Sequence, residues 1–125
     1  VNKLKFQFYN RNPLNKIEED CVNKAISLAL NEDYYVIQDK LYDIADLYEC
    51  DALCPCCYRF LLEEYYGLER LDNYKGYTVK EFAKLNPIGT FLIRLNGHLT
   101  CLINNVNYDL WNCSNEIIDI IWKIN

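Results

Sequence analysis

His98 is the single histidine of this chain, and imidazole is the side chain best suited to general-base work near neutral pH. It directly follows Asn96-Gly97 at the first position of an expected strand. A strand start lies at a sheet end, where a side chain reaches a cleft rather than a core. Asp109 stands eleven positions further on, in the next expected strand. A carboxylate there can bond the second ring nitrogen and fix the tautomer. Cys21 falls in the first turn of an expected helix, where unpaired backbone amides and the helix dipole favour a thiolate. Of the seven cysteines, it has the most activating local setting. Together, Cys21, His98 and Asp109 offer a nucleophile, a base and an orienting group for attack on a carbonyl carbon.

Each position also has a plainer role. Cys21 could be a small apolar helix residue, His98 a polar residue beside a turn, and Asp109 a solvent-facing strand residue. Coincidence of the three favours chemistry for Cys21 and His98, while Asp109 stays balanced between orienting and solvation. Trp111 reads first as core or rim packing and second as a cleft wall.

Cys50, Cys54, Cys56 and Cys57 put four thiols into eight residues. Structural zinc prefers pairs spaced by about two to four residues and separated by a longer stretch, and adjacent cysteines strain a single tetrahedral site. No metal is therefore expected, and the cluster reads as redox-sensitive or incidental. Cys101 and Cys113 read as packing residues on strands.

The elements that must position these groups follow from local pattern. Residues 3 to 9 alternate, with Leu4, Phe6 and Phe8 on one side, which is the period of a half-buried strand. After a turn-rich stretch from Asn10 to Asn15, Asp20 can cap a helix whose core stripe is Val22, Ala25, Ile26 and Ala29. A second helix starts near Asp33, with Val36, Ile37, Leu41, Ile44, Ala45 and Tyr48 on its buried side. Pro55 suits the first position of a third helix that reaches Tyr66 and stops at Gly67. Thr78 to Glu81 forms a capping box for a short fourth helix ended by Pro87. From Thr90 onward, strands alternate with Asn-Gly and Asn-Asn turns, and residues 117 to 123 supply the last strand. Helices first and an antiparallel meander second make a single α+β domain over residues 1 to 125.

Three stretches carry a family likeness: Asp20-Cys21-Val22 opening a helix, Asn96-Gly97-His98-Leu99-Thr100-Cys101 opening a strand, and Tyr108-Asp109-Leu110-Trp111-Asn112-Cys113-Ser114 on the next strand. They resemble small phage-type and bacterial proteins of the papain-like cysteine peptidase fold, and more distantly the peptidase domains of bacteriocin exporters. The resemblance implies a papain-like fold, with N-terminal helices packed on a C-terminal antiparallel sheet. It also implies a thiol hydrolase, acting on a peptide, isopeptide or amide bond through Cys21, His98 and Asp109. Papain-like enzymes usually place a Gln just before the nucleophile as oxyanion donor. No Gln stands there in this chain, so the amide of Asn15 or Asn12 is expected to serve beside the Cys21 backbone N–H. A rival reading is a non-catalytic binder on the same scaffold, of phage or mobile-element origin, that blocks a host factor.

Composition limits the partners. Thirteen Lys+Arg against 18 Asp+Glu give a net charge of -5, the wrong sign for tracking a phosphate backbone, so nucleic acid is not an expected partner. No apolar run approaches the roughly 20 residues needed to span a bilayer, and the N-terminus shows no signal peptide. An odd number of cysteines in a chain with enough core to fold points to reduced thiols and a cytoplasmic setting, that of a bacterial host cell under the phage likeness. Expected partners are a protein or peptide substrate, or a host protein; no cofactor is expected. The abundant tyrosines on an acidic surface suit protein binding.

Overall fold

The computed structural model describes residues 3–125. Val1 and Asn2, the first two residues of the expected domain, lie outside that range. The architecture is mixed α+β, with four α-helices and a six-stranded sheet. In chain order the elements are β1 (Lys5–Phe8), α1 (Cys21–Ala29), α2 (Tyr34–Tyr48), α3 (Pro55–Phe60), β2 (Glu69–Leu71), α4 (Val79–Leu85), β3 (Thr90–Leu95), β4 (His98–Ile103), β5 (Val106–Asp109) and β6 (Ile120–Lys123). A π-helical turn, Leu61–Tyr65, continues α3.

Sheet order is β1-β5-β4-β3-β6-β2. The meander from β3 to β5 is antiparallel as its turns require, and Asn104 and Asn105 both hold positive φ, at 45° and 67°. The expected antiparallel sheet needs two corrections. β1 joins β5 in parallel, and β2, which the sequence did not announce, pairs with β6. The last strand is also shorter than expected, since Ile117 makes only an isolated bridge with Thr78 before Ile120–Lys123 enters the sheet.

Alternation along the strands divides the core into two layers. Leu92, Leu99, Cys101 and Trp122 pack with α1, α2 and α3, while Phe91, Ile93, Leu95, Leu102 and Ile121 pack with α4. The α1 stripe of Val22, Ala25, Ile26 and Ala29 is buried as its spacing predicts. On α2 the buried side narrows to Tyr34, Ile37, Leu41 and Ala45. Val36 and Tyr48 are exposed instead. Phe6 and Phe8 are exposed as well, since β1 is an edge strand with no helix layer over it.

Helix entry is set locally at two places. Asp33 accepts from the N–H groups of Tyr35 and Val36, and Thr78 and Glu81 complete the capping box of α4. Asp20 behaves differently. It occupies the N-cap position of α1, yet its side chain makes no cap bond. Instead its carboxylate is buried, with Lys24 Nζ at 3.0 Å, Tyr34 Oη donating at 2.8 Å and Asn12 Nδ2 donating at 2.9 Å. The carboxylate ties the 10–20 loop to α1 and α2, so a tertiary demand has overridden the local cap.

Removing one partner of a buried ion pair leaves an uncompensated charge. Lys24→Met is therefore expected to destabilise the fold by about 3–5 kcal/mol, read from urea unfolding. A loss below about 1 kcal/mol would show that the Tyr34 and Asn12 hydrogen bonds suffice for Asp20.

Candidate active site

Cys21, His98 and Asp109 come from three different elements and line one cleft of about 480 Å3. Cys21 is the first residue of α1, His98 the first of β4, and Asp109 the last of β5. The hairpin register explains the carboxylate. Cys101 pairs with Tyr108, so one step further the antiparallel ladder sets Thr100 opposite Asp109, with His98 two residues along on the same face. Asp109 Oδ2 accepts from His98 Nε2 at 2.7 Å and from Thr100 Oγ1 at 2.6 Å. Its Oδ1 accepts the Leu110 N–H at 2.6 Å. Nε2 is thus committed to the carboxylate, which leaves Nδ1 for the thiol.

The charges follow from these contacts. Burial of the imidazole works against its protonation, but Asp109, with support from Cys113 and Cys21, overrides this and pushes the His98 pKa up to about 11. Burial likewise opposes ionisation of Cys21. The His98 imidazole and the Leu99 backbone N–H outweigh it and hold the thiol below its ordinary value. For Asp109, burial is outweighed by hydrogen bonds from His98 and Thr100, and its pKa lies below the usual carboxylate range. The site therefore holds His98 as an imidazolium near neutral pH and shifts Cys21 toward the thiolate.

Acidic residues ahead of the nucleophile divide by position. Asp20 turns into the buried network with Lys24, whereas Glu18 and Glu19 line the cleft. Leu53, Pro55, Tyr58 and Trp111 supply apolar lining to the same cleft. The Trp111 ring lies 5.0 Å from the His98 ring, centroid to centroid, and is half-exposed. Trp111 is therefore a cleft wall rather than a core residue.

The expected oxyanion donors are corrected. Asn12 is buried and spends its amide on Glu18 Oε1 at 2.7 Å and Asp20 Oδ2 at 2.9 Å, while its Oδ1 accepts the N–H groups of Leu14 and Lys16. Asn15 sits in the exposed turn at φ 55°. Neither lines the cleft, and among the described residues no other Asn or Gln does. The reason is the path of the 10–20 loop, which folds around Asn12 instead of presenting it to the nucleophile.

Thr100 and Cys113 belong to the site although the sequence reading gave them no part in it. Thr100 is buried, and it is itself held by Asn107 Nδ2 at 2.8 Å. Cys113 donates to Asp109 Oδ2 at 3.5 Å, and burial raises its own pKa. Thr100 was accessible in principle, because counting back through the Asn104-Asn105 turn puts it across from Asp109.

Two groups of side chains bring metal-ligating atoms within 4.8 Å of one another: His98, Asp109 and Cys113, and separately Cys50, Cys56 and Cys57. The first group is already engaged in the hydrogen bonds of the site. Among the described residues, no helix is long and apolar enough to cross a membrane. No protein-family model, curated protein or solved structure matches the chain.

Proposed function

We propose that this protein is a small papain-like thiol hydrolase that cleaves a peptide, isopeptide or amide bond. The observation that carries the reading is the His98–Asp109 pair, hydrogen-bonded at 2.7 Å and sharing a cleft with the Cys21 thiol at a helix start. Cys21 attacks the carbonyl carbon as a thiolate, and the C–N bond breaks as His98 gives its proton to the departing nitrogen. Water, deprotonated by the now neutral imidazole, then hydrolyses the thioester. Asp109 holds the ring in the tautomer that serves both steps. Cys21 is the first residue of α1, so its backbone N–H has no partner within the helix and is open to bind the developing oxyanion.

The absence of a carboxamide from the cleft among the described residues favours a second reading, a non-catalytic binder that uses the same cleft to hold a host protein. Cys21→Ala separates the two. For a hydrolase, this variant is expected to lose the biological effect and to retain uncleaved substrate in a pull-down from host lysate, identified by mass spectrometry. A Cys21→Ala variant with full biological effect would overturn the hydrolase and support the binder.

A further inference from the structure

We propose that Cys50, Cys56 and Cys57, with Cys54 beside them, form a thiolate site for a thiophilic metal ion such as zinc, separate from the catalytic cleft. Sequence spacing argued against such a site because Cys56 and Cys57 are adjacent. Folding removes that objection. Cys50 closes the end of α2, the chain turns through Asp51 to Leu53, and α3 begins at Pro55. The sulfurs of Cys50, Cys56 and Cys57 all lie within 4.8 Å of one another. Cys50 Sγ and Cys57 Sγ are 2.7 Å apart, and Cys54 Sγ is 2.9 Å from Cys56 Sγ.

Convergence of more than two sulfurs is the point that distinguishes this cluster from a simple dithiol. A disulfide needs one pair, whereas a d10 ion with Zn–S bonds of about 2.3 Å draws three or four sulfurs to edges of about 3.8 Å. Small side-chain rotations reach that spacing from the distances found here. The turn is already fixed by the Leu53 N–H to Asp51 Oδ1 at 2.8 Å and by the Cys54 N–H to the Asp51 carbonyl at 2.9 Å, while the Cys57 thiol gives up its bond to that carbonyl, 3.1 Å, when it takes the ion. Cys57 is buried and Cys56 exposed, so an ion has both a protected seat and a route in. Binding exchanges each S–H for a metal–sulfur bond, and each thiol proton passes to solvent. Leu53 and Pro55, which lie between the ligands in sequence, also line the catalytic cleft. A bound ion therefore pins one wall of that cleft.

The test uses the whole chain, fully reduced and stripped with a chelator. After incubation with zinc and desalting, elemental analysis is expected to find a single ion per chain. Cobalt(II) is expected to give a thiolate-to-cobalt charge-transfer band with the visible bands of a tetrahedral ion. Cys50→Ser and Cys56→Ser should each weaken cobalt binding more than about tenfold, while Cys21→Ala should leave it unchanged. Cys56 is exposed, so its replacement is expected to preserve the circular dichroism spectrum. The proposal is overturned if the reduced wild-type chain retains no zinc, or if the cobalt spectrum lacks the thiolate band. Undiminished binding by Cys50→Ser and Cys56→Ser also overturns it. So does a chain that holds no metal but yields a Cys50–Cys57 disulfide peptide with oxidised glutathione.

Discussion

The midpoint of Cys21 alkylation by iodoacetamide is expected to lie below pH 9, the ordinary value for a protein thiol, and His98→Ala is expected to move it upward. At pH 7 an unassisted thiol is only a few per cent thiolate. The His98 imidazolium and the Leu99 N–H stabilise the thiolate against the cost of its burial. Lower basicity also lowers intrinsic nucleophilicity, which offsets part of the gain. The net loss in His98→Ala at pH 7 is expected to be on the order of tenfold. Mass spectrometry of the Cys21 peptide against pH measures it, with free glutathione as the reference thiol. A wild-type profile that follows glutathione would remove the thiolate from the mechanism.

Asp109→Asn is expected to have the larger effect on turnover, a fall on the order of 10³–10⁴-fold with the fold retained. In the wild type, Oδ2 accepts from His98 Nε2, Thr100 Oγ1 and Cys113 Sγ. An amide N–H placed there donates to Nε2 instead and forces the ring proton onto Nδ1, where it faces the thiol without an anionic counterpart. Loss of the carboxylate leaves burial as the largest influence on the imidazole, and burial favours the neutral ring. The alkaline limb of the rate profile, near pH 11 for the wild type, should therefore move down by several units in the variant.

Stability should respond with the same sign. His98 has a folded pKa raised from 6.5 to about 11, so its contribution is fully present below pH 6.5 and disappears as pH rises through about 11. Asp109 has a lowered pKa, so its contribution is present above the ordinary value of 3.8 and disappears as pH falls. Urea midpoints across pH 6–11 should slope downward for the wild type and less steeply for Asp109→Asn. Equal slopes would mean that the His98–Asp109 pair contributes nothing to the fold.

Much of the positioning was legible because it depends on near neighbours. The four-residue reach of a capping box fixes the start of α4, and the period of Val22, Ala25, Ile26 and Ala29 fixes the buried face of α1. The Asn-Gly and Asn-Asn turns fix where β4 begins and ends, which sets His98 at a strand start and Asp109 near the end of the following strand. Side-chain direction in a loop has no such period. For that reason Asn12 and Asn15 could be placed on the loop before Cys21 while the direction of their amides could not be read.

The sequence by itself determined that this chain carries a cysteine at a helix start and a single histidine and an aspartate on successive strands, because helix caps, turns and period-two alternation act over a few residues. Only the tertiary structure decided what those residues meet. It turned Asp20 from a cap into a buried anchor, exposed Phe6 and Phe8 on an edge strand, and added Thr100 and Cys113 to the carboxylate. It also gathered Cys50, Cys54, Cys56 and Cys57 at one turn. Each of these outcomes depends on contacts between segments distant in sequence or on the three-dimensional path of a loop. Local periodicity encodes neither.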